Sequence, residues 1–310
     1  MKKLKNIIVV GCGAIAQTHH IPILQKKKVK LYLCDTNKDV VSKKFSKLNF
    51  STNYNDFIDK IDGAFICTNH SSHFPIACDL LNKKINLLIE KPITISLSEC
   101  KNLIGFEKQL TVGAGYFRRY IDNFIQLRKI ILENRLGKIK KIVMNEGGVY
   151  GWPVMSNSFW KKESAGGGVL IDTGSHSVDL LNFILDNNIH LVNYEDDAVD
   201  GLETNAYLKL LSDDIEIDLS LSRNRPMSNT MKIYFDDQFI EFDATNGGVV
   251  NKHNEVDFAF NPAEYPDDIF TKQIESWINP NENLGRKIVS ASDVKHTVKI
   301  IEQCYLLKNG

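Results

Sequence analysis

The sequence feature that most constrains the fold is a glycine-rich turn directly after a short apolar strand. The predicted strand, residues 6–10, is followed by Gly11-Cys12-Gly13-Ala14-Ile15-Ala16, which opens a predicted helix. In such a strand–turn–helix, the first glycine permits a tight turn, the second admits a pyrophosphate, and the third small residue lets helix and strand pack closely. The helix N-terminus adds N–H donors and positive potential. The pattern predicts a dinucleotide site formed by Gly11, Gly13, Ala14, Ile15 and Ala16.

An acidic residue lies at the spacing that this type of site requires. Asp35 follows the second predicted strand, where its carboxylate would accept hydrogen bonds from the adenosine ribose. A carboxylate repels the 2′-phosphate of NADP, and no arginine follows in residues 36–44, so NAD is the favoured cofactor. Lys38 could neutralise such a phosphate, which keeps NADP open. A Rossmann-like domain without a bound dinucleotide, or a related nucleotide-binding fold, is the alternative interpretation of the turn.

Apolar strands alternate with helices over the first part of the chain. Nearly apolar strands joined by helices predict a doubly wound parallel sheet that is covered on both faces. The predicted strands are residues 6–10, 29–34, 63–67, 86–89 and 110–112. The predicted helices are residues 14–25, 38–48, 74–81 and 96–109, the last of which Ser96 or Ser98 could cap.

Beyond residue 115 most of the predicted strands look antiparallel. They are residues 139–150, 206–211, 215–221, 231–235 and 239–243, with hairpin turns at 212–214 and 236–237. Three helices are predicted in this part, at 121–133 with Gly137 as a stop, at 169–185 behind three glycines, and at 293–307. With 310 residues in all, the chain is expected to form two domains of α/β and α+β type.

Composition excludes several classes of function. The net charge is zero and 43% of the residues are hydrophobic, with no basic stripe for nucleic acid and no membrane-length apolar run. The N-terminal apolar run is too short for a signal peptide, so we expect a cytoplasmic protein with neither nucleic acid nor membrane as partner. The six cysteines form no CxxC pair and indicate buried, reduced thiols. His70 and His73 lack a Cys/His cluster around them, so no metal site is predicted.

Four segments resemble the glucose-fructose oxidoreductase/inositol dehydrogenase (Gfo/Idh/MocA) family. Glu90-Lys91-Pro92 is the family's hallmark tripeptide after its fifth strand. Thr68 with His73 is similar to the family's Thr-Pro-Asn-x-x-His segment, although Asn69 and His70 replace the usual proline and asparagine. Residues 115–119 are similar to Gly-Tyr/Phe-x-x-Arg, and residues 166–179 match every fixed position of GGG-x-L-x-D-x-G-x-H-x-x-D.

This resemblance implies an architecture and a set of site residues. It implies a Rossmann domain at residues 1–117 and an α+β domain at 118–310, which binds substrate and forms oligomers through an open-faced, mostly antiparallel sheet. Whether the helix at about 293–307 packs back on the first domain is left open. A homodimer or homotetramer is expected. The further cofactor contacts implied are Thr68, Asn69, His73, Glu90 and Lys91, and the substrate contacts are Lys91, Tyr116, Arg119, Asp172 and His176.

Several of these residues also have structural interpretations. Tyr116, Arg119 and Asp179 equally suit packing and salt bridges. Trp160, with Trp152 and Phe159, could stack on a sugar as a substrate contact, cover the cofactor, or pack in the core. The arginines that could bind a diphosphate are Arg118, Arg119, Arg223 and Arg225.

Lys91 and His176 are the candidates for proton transfer. Asp172 and His176 are four positions apart, so on a helix they share one face and can meet the same substrate. Lysine ordinarily has a pKa near ~10.4 and histidine near ~6.5, so His176 is the predicted acid/base and Lys91 the group that polarises or orients the reacting oxygen. Taken singly, each has a structural alternative, an exposed lysine or a packed helix histidine.

The function predicted is that of an NAD(P)-dependent dehydrogenase acting on CH–OH groups. Its small-molecule substrate is expected to be a sugar, a cyclitol or a nucleotide-linked sugar. One alternative on the same fold is a glycosidase that uses tightly bound NAD for transient oxidation. The other is a non-catalytic protein that binds NAD(H) as a signal.

Overall fold

The computed structural model of the protein describes residues 3–41, 43–149, 151, 153, 160–199, 201–253, 259–280 and 286–309. The chain divides into two compact units, each assembled from three stretches. The first unit contains Met1–Tyr116, Trp152–Gly166 and Phe270–Lys295. The second contains Phe117–Gly151, Gly167–Ile269 and His296–Gly310.

The strands form two sheets, one in each unit. Strands of the first sheet are β1 Asn6–Val10, β2 Lys30–Cys34, β3 Asn49–Ser51, β4 Gly63–Ile66, β5 Asn86–Glu90 and β6 Val112–Gly115. Strands of the second sheet are β7 Lys141–Gly147, β8 His190–Asp196, β9 Asn205–Ser212, β10 Ile215–Ser222, β11 Thr230–Tyr234, β12 Phe239–Asp243 and β13 Val249–Lys252.

The helices are of several kinds. The α-helices are α1 Ile21–Lys26, α2 His70–Asn82, α3 Leu97–Phe106, α4 Asp122–Leu132, α5 Lys162–Ala165, α6 Ser175–Ile184, α7 Pro266–Ile278 and α8 Ala291–Asn309. Two π-helical segments, Ala16–His20 and Leu170–Gly174, lead directly into α1 and α6. No helix within the described residues combines the length and apolar composition of a membrane span.

The first sheet confirms the predicted parallel architecture. Its order is β3-β2-β1-β4-β5-β6, and every neighbouring pair is parallel. Ile7, Ile8 and Val9 in β1 are fully buried, as expected for a strand with both faces covered. Because parallel strands end at the same edge, the residues that follow β1, β2, β4 and β5 are brought to one side of this sheet.

The second sheet confirms a mostly antiparallel arrangement and adds one parallel pair. Its order is β13-β12-β11-β7-β10-β9-β8, with β7 and β10 parallel and the other pairs antiparallel. The predicted hairpin between β9 and β10 is present, and Asp213 turns the chain with a φ of 50°. Along β9 buried and partly exposed residues alternate, which indicates that one face of the sheet is packed and the other more open.

The predicted helix at residues 38–48 is wrong. A single 3₁₀ turn, Lys43–Phe45, is present instead. Among the side chains described at 38–41 and 44–48, Phe45 is the one that is buried. A short helix in water depends on packing an apolar stripe, which this segment does not supply. Strands β3, β8 and β13 and helices α5 and α7 were not predicted.

A core substitution in the second sheet tests its packing. Leu219, in β10, is fully buried, whereas Leu211, in β9, is 37% exposed. We expect Leu219→Ala to lower the free energy of unfolding by roughly 2–5 kcal/mol through lost burial and a residual cavity. Leu211→Ala, the control, should cost less than ~1 kcal/mol. Urea denaturation measures both, and equal losses would contradict the placement of β10 in the core.

Candidate active site

The glycine turn after β1 has one position closed to side chains and one that is open. Gly11 has a φ of 91°, and a Cβ there would lie 2.6 Å from the carbonyl carbon and oxygen of Cys67. A Cβ on Gly13 would meet nothing within 4 Å. Gly11 is therefore needed by the fold itself, whereas Gly13 leaves open space in which a pyrophosphate can approach the backbone. This geometry fits the predicted dinucleotide.

Asp35 is held beside the same turn by backbone donors. One carboxylate oxygen accepts the Cys12 N–H at 2.8 Å, and the other accepts the Asn37 N–H at 2.9 Å. Gln17 donates from its side-chain amide to the carbonyl oxygens of Cys12 and Val40, at 2.6 and 2.9 Å. Each carboxylate oxygen has a second lone pair, so Asp35 is fixed in place and keeps capacity for a ribose hydroxyl.

Asn69 and His73, predicted as cofactor contacts, have partners within the protein. Asn69 caps α2, and its side-chain oxygen accepts the Ser72 N–H at 3.1 Å. The fully buried His73 lies between two carbonyl oxygens, 2.8 Å from that of Pro92 and 3.2 Å from that of Thr68. Burial lowers the pKa of His73, although both carbonyl contacts act in the opposite direction. His73 thus joins the loop after β4 to the loop after β5.

Glu90 and His20 form a buried pair next to Lys91. A carboxylate oxygen of Glu90 lies 2.7 Å from Nε2 of His20, and the other accepts the Lys91 N–H at 3.1 Å. Burial raises the pKa of Glu90, but the hydrogen bond and charge of His20 and the charge of Lys91 outweigh it and hold the pKa below the ordinary value. Lys91 itself is half-buried.

His20 is a site residue that the sequence analysis missed. It is fully buried and lies at the end of the π-helical segment, with its ring 4.4 Å from that of Phe65. One signal for it exists in the sequence, since His20 is four positions after Ala16 and so lies near that small, packed residue on the helix. Through Glu90, His20 connects the helix of the glycine turn to the backbone of Lys91.

In the second unit, Asp172 and His176 lie on one continuous helical run. Asp172 belongs to the π-helical segment and is half-buried, and His176 lies in the first turn of α6. His176 is 8% exposed, and its ring packs edge-on against Phe117, with centroids 4.7 Å apart. Asp172 also accepts, at its carbonyl oxygen, a hydrogen bond of 3.0 Å from the Ser175 hydroxyl.

The neighbouring arginines are committed to buried carboxylates. Arg119 donates to both oxygens of Asp179, at 2.9 and 2.8 Å. Arg118 forms an equally buried pair with Glu146, which also accepts the Ser177 hydroxyl at 2.6 Å. Buried ion pairs of this kind fix side-chain geometry, so both guanidinium groups are part of the support of α6.

The other predicted residues occupy varied surroundings. Tyr116 is fully buried directly after β6 of the first unit, and Trp160 is 49% exposed. Trp152 and Phe159 lie outside the described residues. Arg223 is buried and Arg225 is exposed. Among the residues that are described, no group of three His, Cys, Asp or Glu side chains could hold a metal ion.

A second missed residue, Glu203, contacts the triple glycine before the helix. Its carboxylate accepts the N–H groups of Gly168 and Leu170 at 2.8 and 3.0 Å, and the hydroxyl of Tyr305 at 2.7 Å. Glu203 is 33 to 35 positions from these amides in the chain, and no local pattern in the sequence points to it.

Comparison with known proteins finds two family models that together match most of the chain. Residues 5–119 match the model described as oxidoreductase family, NAD-binding Rossmann fold. Residues 124–249 match the model of the GFO/IDH/MocA C-terminal domain. Among curated relatives, glucose-6-phosphate 3-dehydrogenase of Bacillus subtilis is 27% identical over 198 residues, which is 60% of this chain and 55% of the relative. The aligned region spans about half the length of the curated relatives that the chain matches.

Solved structures share the fold over nearly the whole chain. Aldose-aldose oxidoreductase from Caulobacter crescentus, complexed with glycerol, has a TM-score of 0.82 at 19% identity and covers 99% of this chain and 98% of that one. UDP-N-acetylglucosamine 3-dehydrogenase GnnA from Acidithiobacillus ferrooxidans has a TM-score of 0.76 at 18% identity, with the same coverage. At these sequence identities, both similarities concern the fold alone.

The two glycines of the turn should respond differently to substitution. Gly11→Ala places a Cβ 2.6 Å from backbone atoms at a positive φ, so we expect a loss of at least ~2 kcal/mol in the free energy of unfolding. Gly13→Ala should change that free energy by less than ~1 kcal/mol and weaken NADH binding by on the order of tenfold. Urea denaturation and NADH fluorescence titration measure the two effects. Unchanged NADH affinity in Gly13→Ala would contradict the turn as the pyrophosphate site.

The Glu90–His20 pair predicts a pH dependence of stability. Because the folded pKa of Glu90 is lowered, its contribution is present above the unfolded value of about 4.3 and is lost as pH falls through the folded value. We expect Glu90→Gln to be destabilised by roughly 3 kcal/mol at neutral pH and the gap to wild type to close in acid. The exposed Glu216→Gln is the control. A gap that does not narrow at any pH below about 4 would refute the pairing.

Proposed function

The chain belongs to the Gfo/Idh/MocA family of oxidoreductases, and from this membership we propose that it transfers a hydride between NAD and a secondary alcohol of a sugar-like substrate. The observation that carries the proposal is the turn after β1, where Gly13 borders open space and Asp35 is fixed beside it. The matched helix sequence of residues 166–179 supplies groups suited to proton transfer.

The residues of the first unit fit a nicotinamide dinucleotide. Gly11 and Gly13 would hold the pyrophosphate at the helix N-terminus, and Asp35 would accept the ribose hydroxyls. The carboxylate of Asp35 favours NAD over NADP because it would repel a 2′-phosphate. When bound, the nicotinamide ring supplies the chemistry of hydride exchange.

Lys91 is proposed to polarise and orient the reacting oxygen. Its ammonium group can donate a hydrogen bond to that oxygen, which stabilises negative charge as the alcohol loses its proton. The backbone around it is fixed on both sides, by Glu90 at the Lys91 N–H and by His73 at the Pro92 carbonyl. Fixed backbone atoms restrict where the long lysine side chain can reach.

His176 is proposed as the acid/base that exchanges the hydroxyl proton. An imidazole ordinarily titrates near ~6.5, which suits proton transfer close to neutral pH. Packing against Phe117 restricts the orientation of its ring. Asp172, on the same helical run, would hold a neighbouring hydroxyl of the substrate through its carboxylate.

The substrate proposed first is a hexose or hexose derivative oxidised at C3. Two of the compared proteins are named 3-dehydrogenases, one of glucose 6-phosphate and one of UDP-N-acetylglucosamine. A screen should include both compounds with glucose and myo-inositol, each with NAD and NADP, and follow the absorbance of the reduced nicotinamide.

Family resemblance further supports a homodimer or homotetramer, which size-exclusion chromatography with light scattering would test.

Removal of Lys91 or His176 should separate chemistry from cofactor binding. With the active sugar, we expect Lys91→Ala and His176→Ala each to lower kcat by roughly 10²-fold or more and to leave NADH affinity within about twofold. The exposed Lys101→Ala and His190→Ala are matched controls that should keep wild-type turnover. A near wild-type kcat in either site variant would show that the substituted residue does not have the role assigned to it. NAD-dependent release of a sugar without net NADH formation would instead support glycosidase chemistry.

A further inference from the structure

The start of the helical run that carries Asp172 and His176 has no cap from its own segment. Val169 occupies the N-cap position of the π-helical segment, and its side chain makes no capping hydrogen bond. The first N–H groups of a helix need acceptors from elsewhere. Glu203, which is 2% exposed, supplies them: its carboxylate accepts the N–H groups of Gly168 and Leu170, and its carbonyl oxygen accepts the Val169 N–H at 3.0 Å.

The glycines before the run are required by this contact. A Cβ on Gly168 would lie 2.0 Å from the carbonyl oxygen of Glu203, and a Cβ on Gly167 would lie 2.0 Å from the hydroxyl oxygen of Tyr305. No side chain fits at either position, because Glu203 and Tyr305 already occupy the space. The triple glycine therefore allows the chain to press directly against these two residues.

A short series of hydrogen bonds connects Glu203 to Asp172. The Gly168 N–H donates to the Glu203 carboxylate, and the Gly168 carbonyl accepts the Asp172 N–H at 3.1 Å. The Tyr305 hydroxyl donates to the same oxygen of Glu203 that receives the two amides. Burial, and then the charge of Glu203, raise the pKa of Tyr305 well above its ordinary value, so the phenol remains a donor at every physiological pH.

Helix α8, which carries Tyr305, contacts the same run at a second point. The Thr297 hydroxyl donates to Asp179 at 3.0 Å and accepts from the Asn182 side chain at 3.1 Å. Thr297 and Tyr305 are eight positions apart, so they face a similar direction, roughly 12 Å apart along the axis. The C-terminal helix thus holds the beginning of the run through Tyr305 and Glu203, and α6 through Thr297.

We propose that Glu203 and Tyr305 are positioning residues that fix the orientation of Asp172 and His176 for proton transfer. This inference rests on the proposed function, in which those two side chains act on the substrate. Neither positioning residue contacts the reacting atoms. Their effect passes through the amides of residues 168–170, whose placement decides where the Asp172 carboxylate and the following turn of helix point.

Tyr305→Phe and Tyr194→Phe form a matched pair of variants for the test. Tyr194 is a buried tyrosine of β8 whose ring lies 6.3 Å from that of Tyr305, and within the described residues its hydroxyl has no hydrogen-bond partner. Tyr305→Phe should lower kcat by on the order of tenfold, the equivalent of one hydrogen bond to a charged group, with the KM for sugar and NAD nearly unchanged. Tyr194→Phe should leave kcat and both KM values at their wild-type levels.

Amide hydrogen exchange provides a second measurement that needs no substrate. Tyr305→Phe should speed exchange in the peptide that covers residues 167–172, and Tyr194→Phe should not. Glu203→Gln, which keeps an acceptor oxygen without the charge, should show a smaller change than Glu203→Ala in both exchange and kcat. If Glu203→Ala does not fold, the two tyrosine variants decide the question.

The possible outcomes separate this inference from the proposed function. Wild-type kcat in Tyr305→Phe, with His176→Ala inactive, would overturn the positioning role and leave the proposed function standing. Equal effects of the two tyrosine substitutions would also overturn it, since the loss would then be one of general packing. If the wild-type protein turns over none of the screened sugars with either cofactor, the proposed function and the positioning role are both refuted.

Discussion

Direct contact of main chain with main chain is the constraint on which both groups of site residues depend. At Gly11 the backbone lies against the backbone of Cys67 and Thr68, and at Gly168 it lies against that of Glu203. A side chain at either glycine would force the two segments apart. Each contact fixes the position at which a helix begins. The positions of the polar side chains that the helix carries are therefore fixed as well.

Buried carboxylates also fix the segments that carry site residues, in addition to the glycine contacts. Glu90, Glu146, Asp179 and Glu203 are all nearly inaccessible to solvent, and each accepts hydrogen bonds from more than one donor. An unpaired charge in such a position would be strongly destabilising, so the partners hold one another in single arrangements. Each of these carboxylates touches a segment that carries a predicted site residue. Their shared effect is to give the backbone of these segments a defined position.

Local patterns in the sequence predicted the strands of the first sheet other than β3, and the glycine turn, because apolar runs and turn glycines act over a few residues. They did not predict His20 with Glu90, 70 positions apart, or Tyr305 with Glu203, 102 positions apart, because nothing local marks such pairs. Resemblance to a family supplied Lys91, Asp172 and His176, whose types alone are ambiguous. The helix wrongly predicted at residues 38–48 shows that a local pattern can also mislead. Its composition is helix-like, but it has no apolar stripe through which a helix could pack.

The π-helical segments Ala16–His20 and Leu170–Gly174 each occur at the start of a helix that carries candidate site residues, one in each unit. Such a segment holds one residue more per hydrogen-bonded turn than an α-helix and is less stable. The extra residue rotates all later side chains of the helix about the helix axis. A natural deletion of one residue there would restore regular α-helix and stabilise it locally, yet it would rotate His20 or His176 away from its present neighbours. Length variation among relatives should therefore be rarer in these five-residue windows than in the surface turns.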